Sequence, residues 1–399
     1  MSNKELQSMV YFGHDRDDVA VGRRIVSFQN AGINVQGISF NRGDQKHKSN
    51  QKWKNLDLGY VKDAKLLNRL LVLMRAVMSI FRNRRMIRQA DILYARNLDM
   101  FLLAWTAKLF TPFSNAIMVY ESLDIHEALT RDNVFSKILR WVERRVLARC
   151  DLLVISSPGF MKHYFKPIQK YAGNCFLVEN KLYFESDVVK RPVVSSINRL
   201  EKRPLRLVWA GILRCQKALE ILKSLASAMG DNIEIHLWGE MDFIQIPDFE
   251  EQIAKYNNIT YFGQYAWPEG LSAVYQEADL AWSQVFMWTN NANWLIPNRV
   301  YEASYFGVLS LAIAGTQTGD YVSENSLGYV IPDSEINTIL KYIQQLSVTD
   351  IVDKRVTLLE RPVNDFIVVD NDVIKLIEAI RLSRESSLDD CELTVKDKL

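Results

Sequence analysis

With 399 residues, 48% of them hydrophobic, the chain can bury a large core, and at roughly 100–200 residues per domain it suggests two domains. Four cysteines (Cys150, Cys175, Cys215 and Cys391) without CxxC or CxxH spacing argue against a zinc site or disulfide framework, and no apolar run has the length of a signal-peptide core or bilayer span. The net charge of +2 conceals an asymmetry: residues 1–200 carry 32 Lys+Arg against 18 Asp+Glu, whereas 201–399 carry 17 against 29. A basic half joined to an acidic half points to two domains with different partners.

"SMVYFGHD" reads as a strand ending in a Gly13-His14-Asp15 turn, "VAVGRRIVSFQNAG" as a helix closing at Gly32, and "INVQGISF" as the next strand. Gly13 lets backbone approach a ligand, and His14 and Asp15 are candidates to touch acceptor or donor. Asp17 and Asp18 are better read as caps of the helix that carries Arg23 and Arg24.

The segment 62–90 has an apolar helical stripe (Leu66, Leu67, Leu70, Leu71, Met74, Val77, Met78, Phe81) beside a dense set of Lys and Arg. Such a helix suits either a core-facing position or the interface of an anionic membrane. It lacks the interleaved aromatics that stack bases, so nucleic acid is not expected as a partner.

"DILYAR", "AIMVYESLD" and "DLLVISS" continue the strand–helix alternation of a mostly parallel sheet. After the strand ending near Tyr120, Glu121, Asp124, His126 and Glu127 crowd the loop at the carboxyl end. They suit helix capping, or the base that deprotonates an attacking hydroxyl; Asp124 is the candidate base, with His126 as the alternative or as a sugar contact.

"RPVVSSINRLEKRP" (191–204) reads as a linker. The expected division is therefore residues 1–190, the linker, 205–385, and a flexible tail 386–399. The alternation restarts with "LRLVWAGIL", "NIEIHLWGE", "ITYFGQ", "ADLAWSQ" and "LSLAIAG". The fold class is α/β, two doubly wound Rossmann-like domains facing a cleft, with ligands beyond the carboxyl ends of the strands.

Two strand–turn–helix junctions in the second half carry further candidates. In "WAGILRCQKALEILKSLA", Gly211 ends a strand, and Arg214 and Lys217 fall where a phosphate would sit, or where surface cations would simply be solvated. In "LIPNRVYEASYFGV", Asn298 is a candidate cap for a helix starting at Arg299, with Glu302 on about its first turn. A carboxylate there can accept two hydrogen bonds from a ribose diol, or serve as a dipole partner.

These residues resemble those of nucleotide-sugar-dependent glycosyltransferases of the GT-B fold, in the family-four-like group. The matching features are Gly211 with Lys217, then Pro297-Asn298-Arg299 with Glu302 and Gly307, then "GYVIPDS". "VYESLDIHEALT", "WVERRVLARCDLLVISSPGFMKHYF" and "LVENK" are similar to succinoglycan-type bacterial exopolysaccharide glucosyltransferases. The resemblance implies that Lys217, helped by Arg214, holds a nucleoside diphosphate and that Glu302 binds ribose. It implies a UDP-sugar donor and a lipid-linked oligosaccharide acceptor at the cytoplasmic face of the membrane, with the chain peripheral there. No metal or other cofactor is expected. Trp294 stands where many members have a sugar-contacting glutamate, and Ile212 where many have an arginine. A nucleotide-sugar 2-epimerase of the same fold and a catalytically silent assembly partner are the rival readings.

Overall fold

The computed structural model describes residues 6–41, 53–60, 66–184, 189–194, 203–286 and 290–384. The chain forms two compact units: Met1–Glu179 with Val369–Leu399, and Asn180–Val368.

The first unit is a seven-stranded parallel sheet. Its strands are β1 (Ser8–Gly13), β2 (Asn34–Asn41), β3 (Lys54–Tyr60), β4 (Ile92–Arg96), β5 (Ile117–Ser122), β6 (Leu152–Ile155) and β7 (Cys175–Leu177), in the order β3-β2-β1-β4-β5-β6-β7. β4, β5 and β6 are buried at every residue, as expected of strands covered on both faces. The order reverses between β1 and β4, where Met9 pairs with Ile92 and Phe12 with Ala95.

The second unit repeats the plan with six parallel strands: β8 (Leu205–Ala210), β9 (Ile233–Trp238), β10 (Ile259–Tyr261), β11 (Leu280–Trp282), β12 (Leu309–Ile313) and β13 (Gly328–Ile331). Their order is β10-β9-β8-β11-β12-β13, reversing between β8 and β11. Below β11, the fully buried Asp279 accepts from both Arg203 terminal nitrogens, at 2.8 and 2.9 Å, and from Arg355. This charge is closed within the protein, at the sheet edge away from the strand carboxyl ends.

Three expectations are corrected. The last helix, Asp370–Leu382, belongs to the first unit, not the second: it packs on helix Val19–Asn30, and the Asn174 side chain donates to the Ser383 carbonyl at 3.0 Å. The expected linker is not free at its start, because Arg191 donates to the carbonyls of Tyr305, Arg361 and Leu358 at 2.7–2.9 Å and so belongs to the second unit. The segment 62–90 is two helices, Leu66–Arg82 and Arg84–Gln89, broken at Asn83. Lys62 and Lys65, most of the linker and the tail 386–399 lie outside the described residues.

Candidate active site

In a doubly wound sheet the crevice for a ligand lies where the strand order reverses, beyond the carboxyl ends. Each unit has one such point, and the two are filled differently.

In the second unit the point lies beyond β8 and β11. Gly211 leaves β8 at φ +110°, a left-handed backbone that favours glycine. Its carbonyl comes so close to Gly239 that a Cβ there would fall 1.8 Å from the oxygen. Two strand-end loops thus meet with no side chain between them. A Cβ on Gly211 would lie 3.9 Å from an Arg299 terminal nitrogen, and the other terminal nitrogen of Arg299 reaches the Trp282 carbonyl at 3.4 Å. Arg299 therefore spans the reversal point from β8 to β11.

Helix Asn298–Tyr305 carries that arginine. Asn298 is its first residue and not its cap, the cap position being Pro297 without a side-chain bond. Glu302 is the fifth residue, past the first turn, and only 6% exposed; its Oε2 accepts from Tyr275 at 2.9 Å. The Glu302 charge raises the Tyr275 and Tyr265 hydroxyls further above their ordinary range, although burial is the larger cause. Burial pushes the Arg299 guanidinium down; Tyr275, Glu302 and Tyr265 counteract this and the Arg214 charge adds to it. Arg299 remains below its ordinary value, burial being the largest cause.

Lys217 is the second residue of helix Gln216–Met229. Its ammonium donates to Ser334 Oγ at 2.7 Å and lies 4.7 Å from the centre of the Phe286 ring. Ser334 follows β13, within "GYVIPDS". Gly211, Arg214, Arg299 and Glu302 are thus brought to one point, with Lys217 beside them on the adjoining helix. Ser334 joins them from the "GYVIPDS" segment, and Tyr265, Tyr275 and Phe286 join them unannounced by any local motif. Trp294 ends the short helix Asn291–Trp294, and Ile212 is 49% exposed.

In the first unit the reversal point lies beyond β1 and β4, and it is plugged. Glu121 is fully buried within β5, not in the loop after it. It accepts from Arg24 Nε at 3.1 Å and forms an ion pair with an Arg24 terminal nitrogen at 3.0 Å. Tyr11 Oη also donates to it, at 3.4 Å. Burial opposes the Arg24 charge, yet the Glu121 carboxylate, aided by Tyr94 and Tyr11, more than offsets this and holds it above its ordinary value.

Asp18 caps helix Val19–Asn30 as expected, accepting from Ala20 and Val21 amides at 2.7 and 3.1 Å. His14 Nε2 turns onto Asp18 Oδ2 at 3.0 Å. Burial of Asp18 alone would raise its pKa, but the His14 hydrogen bond and the Arg96 charge hold it well below the usual carboxylate range. Asp15 Oδ1 accepts from the Asp17 amide at 3.2 Å. At Gly13 a Cβ would lie 2.9 Å from Val21 Cγ1, so the glycine serves the strand–helix contact.

Asp124 is exposed in the loop after β5, two strands from Gly13, His14 and Asp15. His126 Nδ1 accepts from the Ala128 amide at 3.1 Å and caps the short helix Glu127–Thr130. In the neutral ring that bond places the proton on Nε2, which can donate but not act as a base. Glu127 is taken by Arg131, at 2.6 Å.

No family model matches the chain. The succinoglycan biosynthesis protein ExoL of Rhizobium meliloti (strain 1021) is 30% identical over 342 residues, 85% of this chain and 84% of that protein. A glycosyltransferase from Rickettsia africae ESF-5 superposes with a TM-score of 0.64 at 14% identity, covering 96% of this chain and all of the other. Anabaena Alr3699/HepE, solved with UDP and glucose, superposes at 0.65 and 12% identity, covering 94% and 99%. These folds match the two parallel sheets found here, and the chain belongs with ExoL to the succinoglycan-type family of GT-B glycosyltransferases.

Proposed function

We propose that the chain transfers a sugar from a UDP-sugar to a lipid-linked oligosaccharide during bacterial exopolysaccharide synthesis. The observation that carries the donor assignment is the arginine that spans the β8–β11 reversal point, Arg299, with the Arg214 charge near it and Glu302 on the same helix. A diphosphate is the anion these cations suit, and Lys217 is placed to reach it by leaving Ser334. Glu302 Oε2 is engaged by Tyr275, and the carboxylate is assigned to the ribose hydroxyls. That HepE was solved with UDP-glucose supports the choice of nucleotide.

Asp124 is the proposed base. It takes the proton of the acceptor hydroxyl as that oxygen bonds to the anomeric carbon, while the bond from that carbon to the diphosphate oxygen breaks and UDP leaves with the electron pair. His126, protonated on Nε2, is assigned a donor role toward sugar hydroxyls. His14 and Asp15 shape the acceptor side, with His14 held by Asp18. The arginines and Lys217 replace a metal at the leaving group, and inversion is the expected stereochemistry.

An acceptor carried by lipid places the protein peripherally on the cytoplasmic membrane face. Among the described residues no helix is long and apolar enough to cross a membrane. Helices Leu66–Arg82 and Leu98–Leu109 instead border an apolar pocket of about 700 Å³, lined by Met74, Met78, Phe81, Leu102 and Phe110 among others. Arg75, Arg82, Arg84, Arg85 and Arg88 are exposed along this segment, as a helix on anionic lipid requires.

The test is transfer of radiolabel from a panel of UDP-sugars to membrane lipid extract. Wild type is expected to label a lipid product, and Asp124→Asn to lose at least about a hundredfold in rate while still binding UDP. An unimpaired Asp124→Asn variant contradicts the base assignment. Failure to label any lipid while the UDP-sugar's 2-epimer accumulates favours the epimerase reading.

A further inference from the structure

Helix Val134–Leu147 presents two apolar faces where one would suffice. Its inner face buries Ser136, Glu143, Val146 and Leu147. Glu143 is bound there by Tyr120, Tyr164 and Gln169. Its outer face exposes Val134 (73%), Phe135 (61%), Ile138 (54%) and Trp141 (55%). The steps i, i+1, i+4 and i+7 align these four side chains in one stripe. Nothing among the described residues covers them.

The polar rim of the stripe is cationic. Lys137, Arg144, Arg145 and Arg149 are exposed on or just after the helix, with Arg145 stacked over the Trp141 ring at 5.3 Å from its centre. Of the nearby acids, Asp132 pairs with Lys137 and Glu143 is in the core. The helix follows β5, so its first turns, which hold Val134, Phe135 and Ile138, lie at the strand-carboxyl edge. Only nine residues separate Asp124 from Val134. Helix Leu98–Leu109 contacts both this helix and Leu66–Arg82, so all three share one face of the sheet.

We propose that this outer face, led by Phe135, Ile138 and Trp141, is a lipid-contact surface that seats the first unit on an anionic bilayer. Apolar side chains on a cationic helix, with a tryptophan among them, match the headgroup–acyl boundary. The seat fixes the height of the Asp124 loop above the membrane, so a lipid-borne hydroxyl arrives at that loop. This placement rests on the proposed lipid-linked acceptor, whereas binding to a bilayer does not require transfer.

The experiment is co-sedimentation of the full chain with phosphatidylglycerol–phosphatidylcholine vesicles and with phosphatidylcholine vesicles, comparing wild type with a triple Phe135→Ser, Ile138→Ser, Trp141→Ser variant. Calorimetric UDP binding and thermal melting of the variant are expected to match wild type, since the three side chains are exposed. Wild type should partition onto the anionic vesicles, and the variant about tenfold less or weaker still. Bromolipid quenching of fluorescence should fall in Trp141→Phe. The proposal is overturned if the variant partitions like wild type, if wild type binds neither vesicle, or if the substitutions only dissolve a dimer. Such failures leave UDP binding, and with it the donor-site reading, intact.

Discussion

The two strand-order reversals place similar residues in opposite electrostatic conditions. Beyond β1 and β4, Arg24 meets the fully buried Glu121 and is held above its ordinary value. Beyond β8 and β11, Arg299 lies close to Arg214 and is left below its own. One pair is a closed internal charge. The other is the pair proposed to take an added anion. On the proposed reading the same fold makes a structural plug in one unit and a donor site in the other: Arg24 is bonded to Glu121, whereas Arg299 stands near a second cation.

Breaking the plug should have the largest effect. Glu121→Ala removes the carboxylate that pairs with the largely buried Arg24 and should cost about 3 kcal/mol in urea unfolding of the first unit, with UDP affinity unchanged. Glu302→Gln, which can still accept from Tyr275, should cost no more than about 1 kcal/mol of stability. If Glu302→Gln is the more destabilising of the two, the contrast fails.

A second buried carboxylate sharpens the comparison because no cation is bonded to it. Burial pushes Glu143 up to about 7 from 4.5, against the hydrogen bonds of Tyr164, Tyr120 and Gln169. The folded state therefore favours the protonated acid. Its contribution is complete below about pH 4.5 and is lost as the pH rises to about 7. The loss across that window should be on the order of 3 kcal/mol, and Glu143→Gln should flatten it. Denaturant midpoints measured from pH 4.5 to 7.5 check the slope in both proteins.

Arg214→Ala tests the open site from the other side. Removing the like charge next to Arg299 should leave stability unchanged or raise it by about 0.5 kcal/mol, while weakening UDP about tenfold, or ~1.4 kcal/mol. A variant that loses stability and keeps affinity would make Arg214 structural. The smallest expected effect is that of EDTA, which should leave transfer unchanged if the cations alone stabilise the leaving diphosphate.

Much of the architecture was legible because fully buried parallel strands read as uninterrupted apolar runs, as "MVYFG", "ILYA" and "LSLAI" do. The edge strands β3 ("KNLDLGY") and β7 ("CFL") carry no such signal, since all their residues but Leu58 are half-buried or exposed. That Gly211, Arg214, Arg299 and Glu302 stand at two strand–turn–helix junctions was legible from local spacing. Tyr275 was not, because it lies 27 residues before Glu302 in sequence and meets it only in the fold. Glu121 was misread as a loop acid for the same reason, its partner Arg24 being 97 residues away. Local pattern also could not tell which unit would claim helix Asp370–Leu382, since an amphipathic helix fits either sheet.

The most direct measurement is UDP titration by calorimetry, with wild type beside Glu302→Ala and Lys217→Ala. Wild type should bind, and each variant should lose more than about 1.4 kcal/mol of binding free energy, a tenfold loss of affinity. If wild type binds neither UDP nor another nucleoside diphosphate, or if both variants bind as wild type does, the donor site is not where Arg299 and Glu302 meet.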